Sequence, residues 1–463
     1  MKTVFFALAG MVIVVGCRSA KALGQGSKQK PNIVVIMGDD WSWPHASILG
    51  DVVVKTPTFD RIAREGVLFN SAFASAPSCT PSRFAVLTGQ YHWRLKEGDS
   101  LGGSLARDVP VYSDLLTEVG YHIGFSRKGA SPSRHKYRGA DPLGPRFRNF
   151  DQFLAKRKLN QPFCYWYGAG EPHRPYDWKA SQGHPTMLAK IKIPPFLPDN
   201  DIVRTDLGDY YLRVQKLDEF AGKIVDRLQQ DGLLENTLLI MTSDNGMPFP
   251  RAKATLFDSG TRVPLAIRWG NRIQPSRNIH ELVGLTDLAP TILEAAGLPV
   301  PRVMNGRSLL PLLTTQISTK PRQHVLTGME RHVYPWPSRA IRTANYLYVL
   351  NYDPQQWPTG QILGPPRTYD FNETPWPVKP GAFSFNTDPG PTKQWMLKNP
   401  SGVNEQAFGR HPKEELYDLK KDPHQLRNLA SDPNHASMLG KLSRQLTKEL
   451  IGSGDPRNKT SIR

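Results

Sequence analysis

The chain of 463 residues carries 59 Lys and Arg against 41 Asp and Glu, a net charge of +18, and its 39% hydrophobic content feeds a globular core while excluding a polytopic membrane protein. That length exceeds what one core of ordinary size fills, so two domains, or one large α/β domain with an appendage, are expected. The basic residues are scattered without a dense run or a nucleic-acid motif, which sets nucleic acid aside and leaves an anionic partner or surface, or a generally basic secreted protein, as the meaning of the charge.

Residues 1–22 read as a targeting segment. Lys2 gives the positive start, and Val4 to Val15 an apolar stretch too short to span a bilayer comfortably. Two endings fit: Val14-Val15-Gly16-Cys17 has the form of a bacterial lipobox, which would anchor the chain through a diacylated Cys17, and Ala20-Lys21-Ala22 has the form of a signal-peptidase site. The expectation is an exported bacterial protein, periplasmic or held at the outer membrane or outside it. The cysteines at 17, 79 and 164 offer no disulfide framework.

Pro31 to Met37 is a continuous apolar run, the pattern of a central parallel strand buried on both faces. Asp39 and Asp40 follow at its carboxyl end, where open α/β sheets bind ligands; adjacent acids there serve as turn residues or as metal ligands. Thr58 to Gly66 reads as a helix. In Ser78-Cys79-Thr80-Pro81-Ser82-Arg83, Pro81 suits a first helical turn, so Cys79 stands at a helix entrance, where backbone donors favour anions, and Arg83 shares its face one turn later. Tyr112 to Glu118 reads as a helix, and Gly120 to Ala130 as a short strand ending in a basic loop with Lys128. Phe163 to Gly168 is a further buried strand, ending in the Glu171-Pro172-His173-Arg174 loop. Asp206 to Gln230 is a long amphipathic helix whose apolar stripe is core. Asn236 to Thr242 is the third strong strand, capped by Asp244-Asn245-Gly246 and followed by a loop with Lys253. Beyond about residue 320 the texture changes: strands within Arg339 to Leu350 and at Glu415 to Leu419, long loops rich in Pro, Gly and Trp from Tyr352 to Gly402, and a terminal helix marked by Met438, Leu442, Leu446 and Leu450.

Cys79-x-Pro81-x-Arg83 opening a helix resembles the maturation signature of the formylglycine-dependent sulfatases, and the other motifs follow in that family's order over nearly the whole mature chain. The resemblance implies an α/β fold of alkaline-phosphatase type, with a mostly parallel sheet flanked by helices over residues 28–320 and a smaller antiparallel sheet with a terminal helix over 321–463. It implies a maturation enzyme that oxidises Cys79 to formylglycine, and a calcium ion held by Asp39, Asp40, Asp244 and Asn245 with the modified Cys79. Oxygen ligands suit such a hard cation. It further implies that the hydrated aldehyde attacks sulfur, that Arg83, Lys128 and Lys253 hold the hydrate and the sulfate, and that His173 protonates the leaving group.

The Glu171 to Arg174 loop and Asp244 to Pro250 are most similar to the heparan N-sulfatase branch. A sulfated glycan is therefore the implied substrate, with Glu171, Arg174, Arg331 and His332 as its contacts. Two departures stand out. Lys253 occupies a position where that branch favours arginine, and Ala130 stands where most of the family has the histidine of Lys-x-His, with His135 nearby in sequence as a substitute. Two alternatives share these residues: a phosphomonoester or phosphonate hydrolase of the same superfamily, and an inactive glycan-binding homologue.

Overall fold

The computed structural model describes residues 30–130, 132–314, 321–356, 386–399 and 401–458; the expected targeting segment and Cys17 lie outside them. The large sheet is built from β1 (Asn32–Gly38), β2 (Val67–Phe73), β3 (His122–Arg127), β4 (Arg146–Phe147), β5 (Phe163–Gly168), β6 (Thr237–Ser243), β7 (Arg262–Arg268), β8 (Arg277–Ile279) and β9 (Val283–Gly284). Its order is β4-β3-β5-β1-β6-β7-β2-β8, with β9 also on β2. All pairs are parallel except those of β7, which runs against both β6 and β2.

β1 lies at the centre, between β5 and β6, and all seven of its residues are buried. Its side chains alternate between two cores, as strand geometry requires. Val34 and Ile36 join Leu239, Met241 and the Asp201–Gln230 helix on one face. Ile33, Val35 and Met37 join Leu238, Ile240 and the Cys79–Thr88, Tyr112–Glu118 and Leu288–Ala295 helices on the other. This double coverage explains why the strand sequences are continuously apolar.

The second sheet, β10 (His324–Arg331), β11 (Pro335–Thr343), β12 (Tyr346–Asn351) and β13 (Glu414–Asp418), is antiparallel throughout. Leu442, Leu446 and Leu450 of the Ala436–Gly452 helix cover it through Leu326, Ile341, Tyr348 and Leu416. It docks on the large sheet's unit by Gly328 N–H to the Ser75 carbonyl (3.0 Å) and by the Arg342–Asp258 pair (3.1 Å). Within the stretch expected to be all loop, Pro391–Lys398 is a helix, started by a proline in its first turn. Among the described residues no helix is long and apolar enough to cross a membrane, and Cys79 and Cys164 are both buried free thiols.

Candidate active site

The carboxyl ends of β1, β3, β5 and β6 are stitched together by backbone bonds. Asp39 N–H donates to the Glu171 carbonyl (3.0 Å), Ala169 N–H to Met37 (2.9 Å), Lys128 N–H to Gly168 (2.8 Å) and Asp244 N–H to Gly38 (3.2 Å). Four loops far apart in sequence therefore meet above one strand. Asp40 sits at φ +73°, in the left-handed region that aspartate tolerates better than most residues, and its N–H donates to Asp244 Oδ1 (3.1 Å).

Cys79 is the first residue of its helix and is buried, with Sγ 3.5 Å from Asp39 Oδ1. Burial pushes the thiol well above its ordinary range, so an unmodified Cys79 is a poor nucleophile at neutral pH. Arg83 is fully buried one turn on: Nε donates to Asp244 Oδ2 (2.8 Å), Nη1 to the Gly129 carbonyl (3.0 Å), and Nη2 lies 3.5 Å from Asp39 Oδ1 without a hydrogen bond. Lys128 Nζ reaches both oxygens of Asp39 at 2.6 Å. Lys253 Nζ lies 2.8 Å from Asp40 Oδ2 and 2.8 Å from Asp388 Oδ2. His173 Nδ1 faces the Arg174 carbonyl (2.5 Å), so that nitrogen carries a proton, and Nε2 is left 3.7 Å from Asp40 Oδ2.

Among the described residues the nest holds four acids, Asp39, Asp40, Asp244 and Asp388, against three fixed cations, Arg83, Lys128 and Lys253. Burial alone would raise Asp39, but Lys128, with His173, Arg83 and Lys253 behind it, holds it well below the usual carboxylate range. Burial, with Asp39 and Asp388 adding to it, pushes Asp40 up to about 6 against the pull of Lys253 and His173. Asp40 is thus the acid short of positive charge.

A hard cation fits this gap. The donor set is three carboxylates and the Asn245 amide, whose buried Oδ1 accepts no hydrogen bond while its Nδ2 donates to Asp40 Oδ1 (2.7 Å). A divalent ion would turn the excess of one negative charge into an excess of one positive, which a sulfate monoester balances.

The substrate contacts expected from sequence divide. His332 does reach the site: its Nδ1 lies 2.8 Å from Ser78 Oγ, beside Cys79, and burial, with Lys253 next to it, pushes its pKa down to about 3, so the ring is neutral. Arg174 does not present its guanidinium to a pocket. The side chain is buried, grips Asp206 at 2.8 and 2.7 Å, donates from Nε to the Pro248 carbonyl (3.0 Å) and packs on the Tyr176 and Phe249 rings. Glu171 is likewise committed, paired with Arg127 (3.0 Å) and more loosely with Arg213 (3.5 Å). Arg331 is exposed and lines a separate groove of about 430 Å³ with Ser100, Gly102 and Arg134. In each case the sequence places a residue on a loop but does not say which way its side chain turns. Ala130 is buried with its N–H on Asp141, and His135 turns its ring to that same Asp141 (3.5 Å).

Asp388 was not legible in the sequence, where Thr387-Asp388-Pro389-Gly390 reads as a plain turn. It arrives on a strap fixed at both ends. Asn386 Oδ1 accepts from the N–H groups of Val333 and Tyr334 (2.9 and 2.7 Å), Thr392 donates to Asp206, and Gly390 lies so close to Arg174 that a Cβ there would meet its Cζ at 2.5 Å.

The family model described as Sulfatase matches residues 31–137 and 146–298, more than half of the chain and including every strand end of this site. The chain belongs to the sulfatase family. A second model, N-sulphoglucosamine sulphohydrolase, C-terminal, matches residues 251–358 of this sulfatase. An ulvan-active sulfatase of Formosa agariphila is 27% identical over 519 residues, spanning 99% of this chain and 82% of that protein. The N-sulphoglucosamine sulphohydrolase of Homo sapiens is 26% identical, spanning 95% and 94%. Among solved structures, a protein in complex with its substrate D-glucosamine-2-N,6-O-disulfate superposes with a TM-score of 0.65 at 19% identity, covering 92% of this chain and 99% of that one. The phosphonate monoester hydrolase of Silicibacter pomeroyi superposes with 0.64 at 18%, covering 92% and 96%. At such identities these two likenesses speak to the fold, an alkaline-phosphatase-like α/β domain with a smaller antiparallel sheet.

Proposed function

We propose that this sulfatase is exported, periplasmic or anchored to the outer membrane or cell surface, and removes sulfate from an N- or O-sulfated glucosamine at the end of a glycan, using formylglycine formed from Cys79 by a maturation enzyme. The observation that carries the reading is the placement of Cys79 at the first turn of a buried helix, 3.5 Å from Asp39 and ringed by Arg83, Lys128 and Lys253. The glucosamine assignment draws on the second family model and on the human relative that spans nearly the whole chain.

Asp39, Asp40, Asp244 and Asn245 would hold calcium, which when bound neutralises charge on the sulfuryl oxygens. The hydrated aldehyde would supply an oxygen nucleophile where the thiol is a poor one. Lys128 and Lys253 direct ammonium donors at the sulfate, and Arg83, whose Nη2 has no hydrogen bond, has a donor to spare for the residue-79 oxygen. Asp244, with a carboxylate oxygen within 4.8 Å of Cys79 Sγ, would take the attacking hydroxyl's proton. His173, its Nδ1 fixed by the Arg174 carbonyl, turns Nε2 toward the pocket as the proton donor to the departing oxygen or nitrogen, a role worth about a hundredfold to ten-thousandfold in rate.

The test joins a peptide mass spectrum across Cys79 with turnover of defined N- and O-sulfated glucosamine saccharides, an aryl sulfate and a phosphonate monoester. Aldehyde at residue 79 and preference for the saccharides are expected. A fully active protein with an intact thiol at 79 sinks the mechanism, and a preferred phosphonate sinks the substrate class.

A further inference from the structure

Lys253 is buried to 1% of its side-chain surface, and its ammonium spends two of its three donors on Asp40 and Asp388. Of these two carboxylates Asp40 is one of the donors proposed above to hold the cation, whereas Asp388, which lies in one cluster with Asp40 and His173, is not. The other oxygen of Asp40 is already taken by Asn245 Nδ2, so a cation that recruits Asp40 competes with Lys253 for it. Asp388 comes instead from the strap, anchored through Asn386 and Thr392, and none of the donors proposed for the cation but Asp40 shares its lysine. One of its oxygens also lies within 4.8 Å of a ring nitrogen of His173.

On the sulfatase reading above, we infer that Asp388 is the positioning residue for the sulfate-binding Lys253. When the cation occupies its nest, Asp388 remains as the carboxylate that holds this buried ammonium aimed at the sulfate, with the third donor left for a sulfuryl oxygen. The second structural unit thereby reaches the reacting end of the substrate through a lysine of the first. The energetic basis is that a buried charge stripped of its partner is strongly disfavoured, whereas the same pair kept whole is tolerated.

The experiment uses the full chain with aldehyde confirmed at residue 79. Asp388→Asn is expected to raise KM for a sulfated saccharide, and to weaken inhibition by inorganic sulfate, by about tenfold to a hundredfold, with kcat less affected. In a Lys253→Met background the same substitution is expected to add almost nothing, because the residue acts through the lysine. If Asp388 serves only to fix the strap, KM and sulfate inhibition stay at the wild-type level while the unfolding midpoint falls, and the inference is overturned. Should Asp388→Asn fail to fold, the comparison passes to Lys253→Met against Lys253→Met/Asp388→Leu: recovery of stability in the double variant supports the pairing, and no recovery overturns it. Failure of the functional reading looks different, because there the wild type itself, with its aldehyde, turns over no sulfate ester.

Discussion

Arg174→Met removes a charge that the fold, not the substrate, uses. The variant loses two charge-assisted hydrogen bonds to Asp206 and one to the Pro248 carbonyl, and among the described residues it leaves the fully buried Asp206 with the Thr392 N–H and hydroxyl as donors. Methionine keeps an unbranched side chain over the Tyr176 and Phe249 rings, so the cavity contribution is small and the electrostatic one dominates. Orphaning one member of a buried pair costs about 3–5 kcal/mol, a large share of the roughly 5–15 kcal/mol by which domains are stable. Urea unfolding followed by tryptophan fluorescence should show the loss, and Arg174→Met/Asp206→Leu should recover most of it, since both charges are then gone. At a temperature where the single variant stays folded, its kcat/KM ratio between a sulfated saccharide and an aryl sulfate should stay within about threefold of wild type. A variant of unchanged stability that selectively loses the saccharide would refute the reasoning and return Arg174 to the substrate.

Two further outcomes follow from the nest. Because burial raises Asp40 to about 6 in the metal-free fold, the folded chain binds that proton more tightly than the unfolded one: its contribution to metal-free stability is full below the unfolded value and is lost as pH rises through about 6. If calcium is the ion, as proposed, it must displace that proton, so its affinity should fall about tenfold per pH unit below about 6 and level off above it; calorimetry showing equal affinity at about pH 5 and pH 7 would contradict the assignment of Asp40 as a ligand. Gly168→Ala would put a Cβ 1.5 Å from the Lys128 carbonyl, forcing the β3 and β5 ends apart. Turnover should collapse with a lowered unfolding midpoint, and an alanine variant as active as wild type would show that Lys128 need not be held where it is.

What sequence discloses here tracks how local the physics is. The strands Asn32–Gly38, Phe163–Gly168 and Thr237–Ser243 announce themselves because burial on both faces demands unbroken apolar runs, and the Tyr112–Glu118 helix agrees with its pattern to the residue. The long helix begins at Asp201 instead of Asp206, because Asn200 caps it through its side chain, a start signal that lies outside the apolar stripe. Site residues that follow a strand end or open a helix were likewise legible: Asp39, Asp40, Cys79, Arg83, Lys128, His173, Asp244, Asn245 and Lys253 meet in one place. Residues whose direction depends on a distant partner were not. Arg174 reads as a loop arginine until Asp206 is beside it, and Asp388 reads as a turn residue until the strap returns it to Lys253. The antiparallel insertion of β7 between β6 and β2 is set by pairing across the sheet and leaves no mark in its own residues.

All ten residues of the Cys79–Thr88 helix are buried, and Cys79 itself keeps only 2% of its surface. On the proposed mechanism this burial makes maturation a matter of timing. An enzyme that reads Cys79, Pro81 and Arg83 along an open strand of chain finds Arg83 already locked onto Asp244 once the sheet has closed, and that lock joins residues 161 positions apart. Oxidation must therefore win a race against long-range folding, and molecules that fold first would carry their thiol permanently. The fraction of active enzyme in a preparation would then report the rate of export and folding in the host, so slowing the closure of β1 on β6 could raise the specific activity even as it lowers the yield of folded protein.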